Sequence, residues 1–179
     1  MESATKGGWI IPETVIKARI KEVCQQVKDA WGSHTDYLDI LIILKGGFMI
    51  GYDVIKELKD AFKLSINFLT ASSYNYATKP EGEVVFGGCF PVLASPFLVV
   101  VDDICATGNT LQAVRAHYEA FDYDVKCLVM LDCPSQRTVD FMPDYKCFEV
   151  EDGFYYGYGL DYRGYLRELP FIKKLEVSL

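Results

Sequence analysis

The stretch of sequence that decides the fold spans residues 99–110 and reads VVVDDICATGNT. It continues an apolar run that starts at Phe97, and apolar positions at helical spacing follow it from Thr110 to Phe121. This order predicts a buried strand, a short loop and a helix. Because open α/β sheets bind ligands beyond the carboxyl ends of their strands, Asp102 and Asp103 are predicted to face a ligand.

The loop between these acids and the helix is made of small and hydroxyl residues. Such a loop exposes backbone N–H groups and hydroxyls in front of the positive end of a helix dipole, an arrangement that binds phosphate. The spacings Gly-x-x-x-x-Gly-Lys and Gly-x-Gly-x-x-Gly do not occur in it, which excludes the common nucleotide-binding loops. The alternative is an ordinary capped turn, but two unpaired carboxylates after an apolar strand would cost stability without a ligand.

The rest of the chain alternates predicted strands and helices. Helices are predicted from Pro12 to about Trp31, with proline in the first turn, and from Phe48 to Ala61. Further strands are predicted at residues 39–44, 64–71, 83–86, 125–131, 145–150 and 154–158, with a long polar loop at 72–82. This alternation indicates an α/β fold with a mostly parallel sheet, in a single domain over residues 1–179.

Composition narrows the function classes. The 179 residues are 50% hydrophobic and 14% aromatic, which favours a well-packed core over disorder. The formal net charge of −7 argues against a nucleic-acid partner, since phosphate backbones need a basic face. No apolar run is long enough to span a bilayer, so no membrane partner is expected. The six cysteines form no Cys-x-x-Cys pair and indicate reduced thiols in the cytoplasm rather than a disulfide framework or a zinc site.

Several motifs together resemble one known family. Residues 99–110 resemble the donor-sugar signature of the type I phosphoribosyltransferases, and the remaining motifs resemble the hypoxanthine-guanine branch nearly end to end. These motifs are Ile11-Pro12-Glu13, Leu44-Lys45-Gly46-Gly47-Phe48, Ser73-Tyr74, Gly157-Tyr158-Gly159-Leu160-Asp161-Tyr162 and Tyr165-Leu166-Arg167-Glu168-Leu169. The resemblance implies a type I phosphoribosyltransferase fold, with a mostly parallel central sheet flanked by helices and a small hood.

The resemblance also implies a reaction. A purine base would displace pyrophosphate from phosphoribosyl pyrophosphate, with Mg²⁺ as cofactor, in purine salvage. It further implies a homodimer or homotetramer. The residues expected to bind the donor sugar and its 5-phosphate are Asp102, Asp103, Ala106, Thr107, Gly108, Asn109 and Thr110.

The remaining roles follow from the same resemblance. Pyrophosphate would be held by Lys45, Gly46 and Arg167, and Asp161 would join Asp102 and Asp103 in holding magnesium. Ser73 and Tyr74 would lie on a mobile loop that closes over the site. The base would be flanked by Phe154, Tyr155, Tyr156 and Cys133, with aromatic stacking as the physical means. Taken singly, Lys45 and Arg167 would be ordinary surface cations; it is the ordered set that favours the functional interpretation.

Two positions depart from the branch. Ala106 stands where hypoxanthine-guanine enzymes usually carry an aspartate that exchanges a proton with the purine ring, and the adenine branch also has alanine there. Cys133 stands where these enzymes usually carry a lysine that donates to the purine 6-oxo group; Gln136 and Arg137 lie nearby.

Three hypotheses remain open at this stage. The chain transfers to adenine or an unusual base, it uses a 6-oxopurine through other donors, or it is an inactive regulatory protein that binds the donor sugar. The intact set of Lys45, Asp102, Asp103, Asp161 and Arg167 favours an enzyme.

Overall fold

The computed structural model describes residues 9–72 and 84–175. These residues form nine strands and three α-helices, with a 3₁₀ turn at Pro134–Gln136. The elements in chain order are β1 (Ile10–Ile11), α1 (Glu13–Trp31), β2 (Tyr37–Leu44), α2 (Phe48–Leu58), β3 (Lys63–Ser72), β4 (Val85–Gly87), β5 (Phe97–Cys105), α3 (Asn109–Glu119), β6 (Asp124–Asp132), β7 (Tyr145–Glu149), β8 (Tyr155–Tyr156) and β9 (Ile172–Lys174).

Six strands form the central sheet, in the order β4-β3-β2-β5-β6-β7. All neighbours pair in parallel except β3 and β4. The middle strands β2 and β5 are buried along most of their length, as expected of a sheet covered on both faces. This arrangement confirms the predicted α/β class with a mostly parallel sheet.

Helices cover both faces of the sheet. On one face α1 and α2 pack against Ile40, Ile42 and Val99, while on the other α3 packs against Leu41 and Val100. Alternate residues of β2 and β5 thus serve two different cores, because side chains of a strand point to opposite faces. Among the helices of the described residues, none combines the length and apolarity that crossing a bilayer requires.

A fully buried carboxylate lies in the central strand β2. Asp39 accepts hydrogen bonds from Asn67 Nδ2 (2.9 Å) and from the backbone N–H groups of Ala94 (2.9 Å) and Ser95 (2.5 Å). Three donors offset the desolvation of the carboxylate, which explains why an acid is tolerated in an apolar run. The contact also fixes the segment that leads into β5.

A second, small sheet has the order β1-β9-β8 and corresponds to the expected hood. Its pairings are antiparallel and join the two ends of the described chain. Ile11, Tyr155 and Ile172 belong to the same buried cluster as the α1 and α2 core. The hood is therefore fixed to the central sheet through shared core residues.

Several predicted boundaries differ from the structure. The buried strand that begins at Phe97 includes the two acids and continues to Cys105, because its pairing with β6 extends to Cys105 and Asp132. α2 ends at Leu58 rather than Ala61, and β8 is limited to two residues. β1 and β9 were not predicted. Most of the predicted 72–82 loop lies outside the described residues.

Candidate active site

Three segments that are distant in sequence meet at the carboxyl end of the central sheet. A Cβ added at Gly46, just after β2, would overlap the Asp103 carboxylate at the end of β5. A Cβ added at Gly159, in the turn after β8, would overlap the Gly46 carbonyl oxygen, and Gly159 has φ +97°. Glycine is required at Gly159, where the contact is with backbone and φ is positive, whereas a side chain at Gly46 would displace the Asp103 carboxylate.

The first of two neighbouring cavities opens at this junction. It has a volume of about 420 Å³. The residues that line it are Ile43, Leu44, Lys45, Gly46, Thr70, Ala71, Asp102, Asp103, Ile104, Thr110, Asp161 and Arg167. The structure therefore brings together seven of the residues predicted from the sequence, which are Lys45, Gly46, Asp102, Asp103, Thr110, Asp161 and Arg167.

Two adjacent carboxylates form the floor of the first cavity. Asp102 Oδ1 accepts the N–H of Asp103 (2.9 Å), and Asp103 Oδ1 accepts the N–H of Ile104 (3.0 Å). Burial raises the pKa of both carboxyls, and the Asp103 charge raises that of Asp102 further. Because neighbouring buried carboxylates repel each other, this pair favours a cation or hydroxyl donors of a ligand.

Arg167 lines the same cavity. Its Nη2 donates to Asp161 Oδ1 (2.6 Å), and its Nη1 donates to the carbonyl oxygen of Gly159 (2.5 Å). The Arg167 charge also lowers the pKa of the Asp103 carboxyl, against the larger effect of burial. Lys45 is exposed at the rim. These two cations can bind an anion that enters the cavity.

The predicted phosphate loop lies beside the first cavity. Gly108 precedes α3 with φ +87°, and no side chain caps the helix there. A Cβ at Gly108 would lie 2.9 Å from Arg137 Cδ, and Thr138 N–H donates to the Thr107 carbonyl oxygen (3.1 Å). The segment after β6 therefore supports the loop from below. A small cavity of about 30 Å³ at this loop is lined by Asp102, Ile104, Cys105, Ala106, Gly108, Thr110 and Leu111.

The second large cavity has a different character. Its volume is about 460 Å³, and it is lined by Asp103, Ile104, Gly153, Phe154, Tyr155, Leu160, Asp161, Tyr162 and Arg163. The Phe154 and Tyr162 rings meet edge to face, with centroids 5.8 Å apart. Apolar and aromatic walls of this kind suit a planar heterocycle. The two cavities share Asp103, Ile104 and Asp161.

Some predicted residues lie away from the second cavity. Cys133 is buried in the core, with its Sγ 3.5 Å from Ser135 Oγ, and it lines none of the described cavities. Ala106 lines the small cavity at the phosphate loop, and Tyr156 lines neither large cavity. Thr107 and Asn109 belong to the phosphate loop beside the first cavity. Ser73 and Tyr74 lie outside the described residues.

Sequence reasoning missed several residues that line the cavities. Ile104 lines both large cavities and the small one, and Tyr162 and Arg163 line the second. Ile104 is apolar, so its residue type gave no indication that it binds a ligand. Its position directly after the two acids was the one available indication.

The acidic residues of the first cavity include possible ligands for magnesium. The described residues contain no group of three or more His, Cys, Asp or Glu side chains that could enclose a metal ion. Asp161 already accepts bonds from Arg167 and from the Gly164 N–H (2.7 Å). Asp102 and Asp103 offer hard oxygen donors in a cavity sized for a sugar phosphate. This suits Mg²⁺, which commonly binds one or two carboxylates and completes its shell with substrate oxygens and water.

Comparison with known proteins agrees with this geometry. The phosphoribosyl transferase domain family matches residues 15–163. Hypoxanthine phosphoribosyltransferase of Salmonella typhimurium is 30% identical over 168 residues, 93% of each chain. Hypoxanthine-guanine phosphoribosyltransferase of Lactococcus lactis is 33% identical over 138 residues, 76% of this chain and 74% of that one.

A solved structure extends the likeness to three dimensions. Hypoxanthine phosphoribosyltransferase from Trypanosoma cruzi, in complex with the product IMP, superposes with a TM-score of 0.84 at 28% identity and covers 98% of both chains. Its fold and the match of the family over most of this sequence agree with the site described above. The chain therefore belongs to the type I phosphoribosyltransferases, in the hypoxanthine-guanine family.

Proposed function

We propose that this glycosyltransferase moves ribose 5-phosphate from phosphoribosyl pyrophosphate to an oxopurine such as hypoxanthine or guanine, in purine salvage. The observation that carries the proposal is the meeting of two unlike cavities at Asp103, Ile104 and Asp161. One cavity has carboxylates and cations for a charged sugar, and the other has aromatic walls for a base. A bond between the two ligands would form where the cavities join.

The first cavity is proposed to hold the donor. Asp102 and Asp103 accept hydrogen bonds from the ribose hydroxyls, and the N–H groups and hydroxyls of residues 107–110 bind the 5-phosphate. Lys45, Gly46 and Arg167 bind the pyrophosphate. This assignment is supported by the close approach of Gly46 to Asp103, which brings the pyrophosphate side next to the sugar side.

The second cavity is proposed to hold the base between Ile104 and Phe154, with Tyr155 beside it. Tyr155 is buried and Phe154 is half exposed, so Phe154 is the ring available for stacking. An offset or edge contact between aromatic groups contributes about 0.5–1.5 kcal/mol beyond the area buried.

The proposed reaction is a displacement at the anomeric carbon of the sugar. The bond from that carbon to a pyrophosphate oxygen breaks, a bond to a purine nitrogen forms, and the proton on that nitrogen is released. Ala106 has no group that can accept this proton. The contribution of the protein is chiefly to align the two ligands and to stabilise the leaving group, since correct alignment alone lowers barriers by several kcal/mol.

Magnesium is proposed as the cofactor, with Asp102 and Asp103 as the residues that hold it and Asp161 contributing through its contact with Arg167. When bound, the ion neutralises charge on the departing pyrophosphate. The support for this is the buried pair of carboxylates, whose mutual repulsion a cation relieves.

The assembly and compartment are proposed as well. A homodimer or homotetramer is supported by exposed apolar residues of α2 and β3, namely Phe48, Tyr52, Ile66 and Phe68. All six cysteines are unpaired, which fits a reducing compartment such as the cytoplasm. Light scattering that gives the mass of one chain would contradict the assembly.

Neither alternative from the sequence gains support. The relatives above are hypoxanthine and hypoxanthine-guanine enzymes, which disfavours transfer to adenine. A regulatory protein without catalysis would not need both cavities, nor would it need Lys45 and Arg167 to bind a leaving pyrophosphate. The test is the initial rate of nucleotide formation from hypoxanthine, guanine, xanthine and adenine, each with the donor, and with or without magnesium. Oxopurine nucleotides that appear only with magnesium support the proposal, and no nucleotide from any base would overturn it.

A further inference from the structure

The chain has no lysine at the position where the hypoxanthine-guanine branch usually carries one that donates to the base. Cys133 carries no ammonium and lies in the core. Two nearby side chains could donate to the base, but both already have other hydrogen-bond partners. Gln136 Nε2 donates to Asp152, and the Arg137 guanidinium donates to Asp132 and to the Cys105 sulfur. Neither of these two side chains is therefore free to donate to the polar edge of the base.

Among the residues that the structure describes, Arg163 is the cation that lines the second cavity. Its guanidinium carbon lies 5.3 Å from the centroid of the Tyr162 ring, and that ring meets Phe154 at 84°. The Arg163 guanidinium thus lies beside the aromatic rings that line the cavity proposed to hold the base. Within the described part of the chain no ion pair includes Arg163, whereas Arg167 is bound to Asp161 and Arg137 to Asp132.

The backbone around Arg163 is fixed. Tyr162 and Tyr165 exchange two backbone hydrogen bonds of 2.9 and 3.0 Å, and Asp161 Oδ2 accepts the Gly164 N–H. Arg163 itself has φ +53°, in the left-handed region that non-glycine residues adopt infrequently. This tight turn holds the side chain at the rim of the cavity.

We propose that Arg163 determines base specificity by donating to an exocyclic carbonyl oxygen of the purine. This rests on the function proposed above, since it assigns the base to the second cavity. An arginine side chain has only donors, so it pairs with the carbonyl of an oxopurine and faces an unmatched amino group in adenine. A site with donors that a competing ligand leaves unpaired rejects that ligand.

The test is kinetic comparison of the wild-type enzyme with Arg163→Met and Arg163→Lys, using hypoxanthine, guanine, xanthine and adenine at saturating donor and magnesium. Arg163→Met should lower kcat/KM for the oxopurines about tenfold through the KM of the base, as loss of one charge-assisted hydrogen bond implies. The KM of the donor and the rate with adenine should stay unchanged, and Arg163→Lys should recover part of the loss. Lys59→Met, which removes an exposed cation at the end of α2, is the matched control.

The possible outcomes test the role of Arg163 separately from the proposed function. An equal loss for hypoxanthine and xanthine places the contact at the C6 carbonyl, and a larger loss for xanthine places it at C2. Wild-type rates in Arg163→Met, or an equal loss with adenine, would overturn the proposal. If the wild-type enzyme forms no nucleotide at all, the proposed function fails; calorimetry of IMP and AMP still decides the role of Arg163, because an unchanged IMP-to-AMP affinity ratio in Arg163→Met rejects it.

Discussion

The two large cavities share three residues but are built in different ways. The first is formed by the ends of strands β2 and β5 and by the closing turn, where Gly159 lies against the Gly46 backbone and Gly46 against the Asp103 carboxylate. The second is formed by Phe154, Tyr162 and Arg163 in a hood of short strands and turns. Tight main-chain packing leaves little freedom to change the donor side, whereas side chains on turns can be exchanged. The departures from the family fall outside the second cavity, since Ala106 lines the small cavity at the phosphate loop and Cys133 is buried in the core.

The largest expected effect is on the donor side. Replacing both Asp102 and Asp103 by Ala removes the acceptors for the ribose hydroxyls and for magnesium. Each lost charge-assisted contact costs about 1.5–3 kcal/mol, so donor affinity should fall about 100- to 10,000-fold. Calorimetry with donor and magnesium measures this, with circular dichroism to show that the variant is folded. Asp60→Ala, which removes an exposed carboxylate on the surface, is the control, and an unchanged affinity in the double variant would refute the assignment.

A methyl group at Gly46 should be nearly as damaging. In Gly46→Ala the new Cβ would overlap the Asp103 carboxylate and force the pyrophosphate side away from the sugar side. A shift of about 1 Å between reacting groups lowers rates about 100-fold, so kcat/KM should fall by that order. Circular dichroism and urea denaturation show whether the variant keeps its fold, so that a lower rate can be assigned to the site. Full activity in Gly46→Ala would mean that the two segments are not held as closely as described.

Removing either cation of the first cavity should lower kcat more than it changes the affinity for the base. Lys45→Ala and Arg167→Ala each remove a charge that stabilises the leaving pyrophosphate, and kcat should fall about 10- to 100-fold. The KM of the base should change little. Pyrophosphorolysis of the nucleotide is the direct assay, with the surface variant Lys21→Ala as control. A variant that retains the wild-type rate identifies its residue as an ordinary surface group.

On the base side, Cys133→Lys should act mainly on stability. Cys133 is 1% exposed and packs in the core. A lysine ammonium at this position would therefore lose its hydration without gaining a hydrogen-bond acceptor or an anionic partner. The free energy of unfolding should fall by about 3 kcal/mol, measured by urea denaturation. Cys89→Lys, at an exposed position, should change it little. If Cys133→Lys is as stable as the wild-type protein and prefers oxopurines more strongly, the lysine has reached the base and Cys133 does occupy the family's donor position.

Ala106→Asp should have the smallest effect. It restores a proton acceptor at the phosphate loop, where general base catalysis typically contributes 10²–10⁴-fold; an enzyme that works without it should gain only about tenfold in kcat. Ala106→Asn, similar in size but unable to take the proton, is the control. Equal rates in both variants and the wild-type enzyme would show that proton removal does not limit turnover.

Many residues of the first cavity could be located from the sequence because their signals are local. Apolar runs located β2 and β5, and the acids, glycines and hydroxyl residues that follow them carry recognisable chemistry. The convergence of Lys45 and Asp103 follows from the parallel strands β2 and β5 ending at one edge of the sheet, whereas Asp161 is contributed by the turn after β8.

The hood and the base cavity were harder to predict. Strands of two or three residues, such as β1 and β9, are too short to show a period. Ile104 carries no polar signal, and Arg163 looks like any exposed cation until the turn places it beside Phe154 and Tyr162. Cys133 shows the converse, since alignment with the family placed it near the base and the structure buries it in the core.

One competition experiment tests the central claim most directly. Equal concentrations of hypoxanthine, guanine, xanthine and adenine are mixed with the enzyme, phosphoribosyl pyrophosphate and magnesium, and the nucleotides formed in the first few per cent of reaction are counted by mass spectrometry. Their ratios equal the ratios of kcat/KM. The account predicts that oxopurine nucleotides exceed AMP by about tenfold or more, as a donor-only cation at the base predicts. AMP as the main product, or no nucleotide at all, would contradict it.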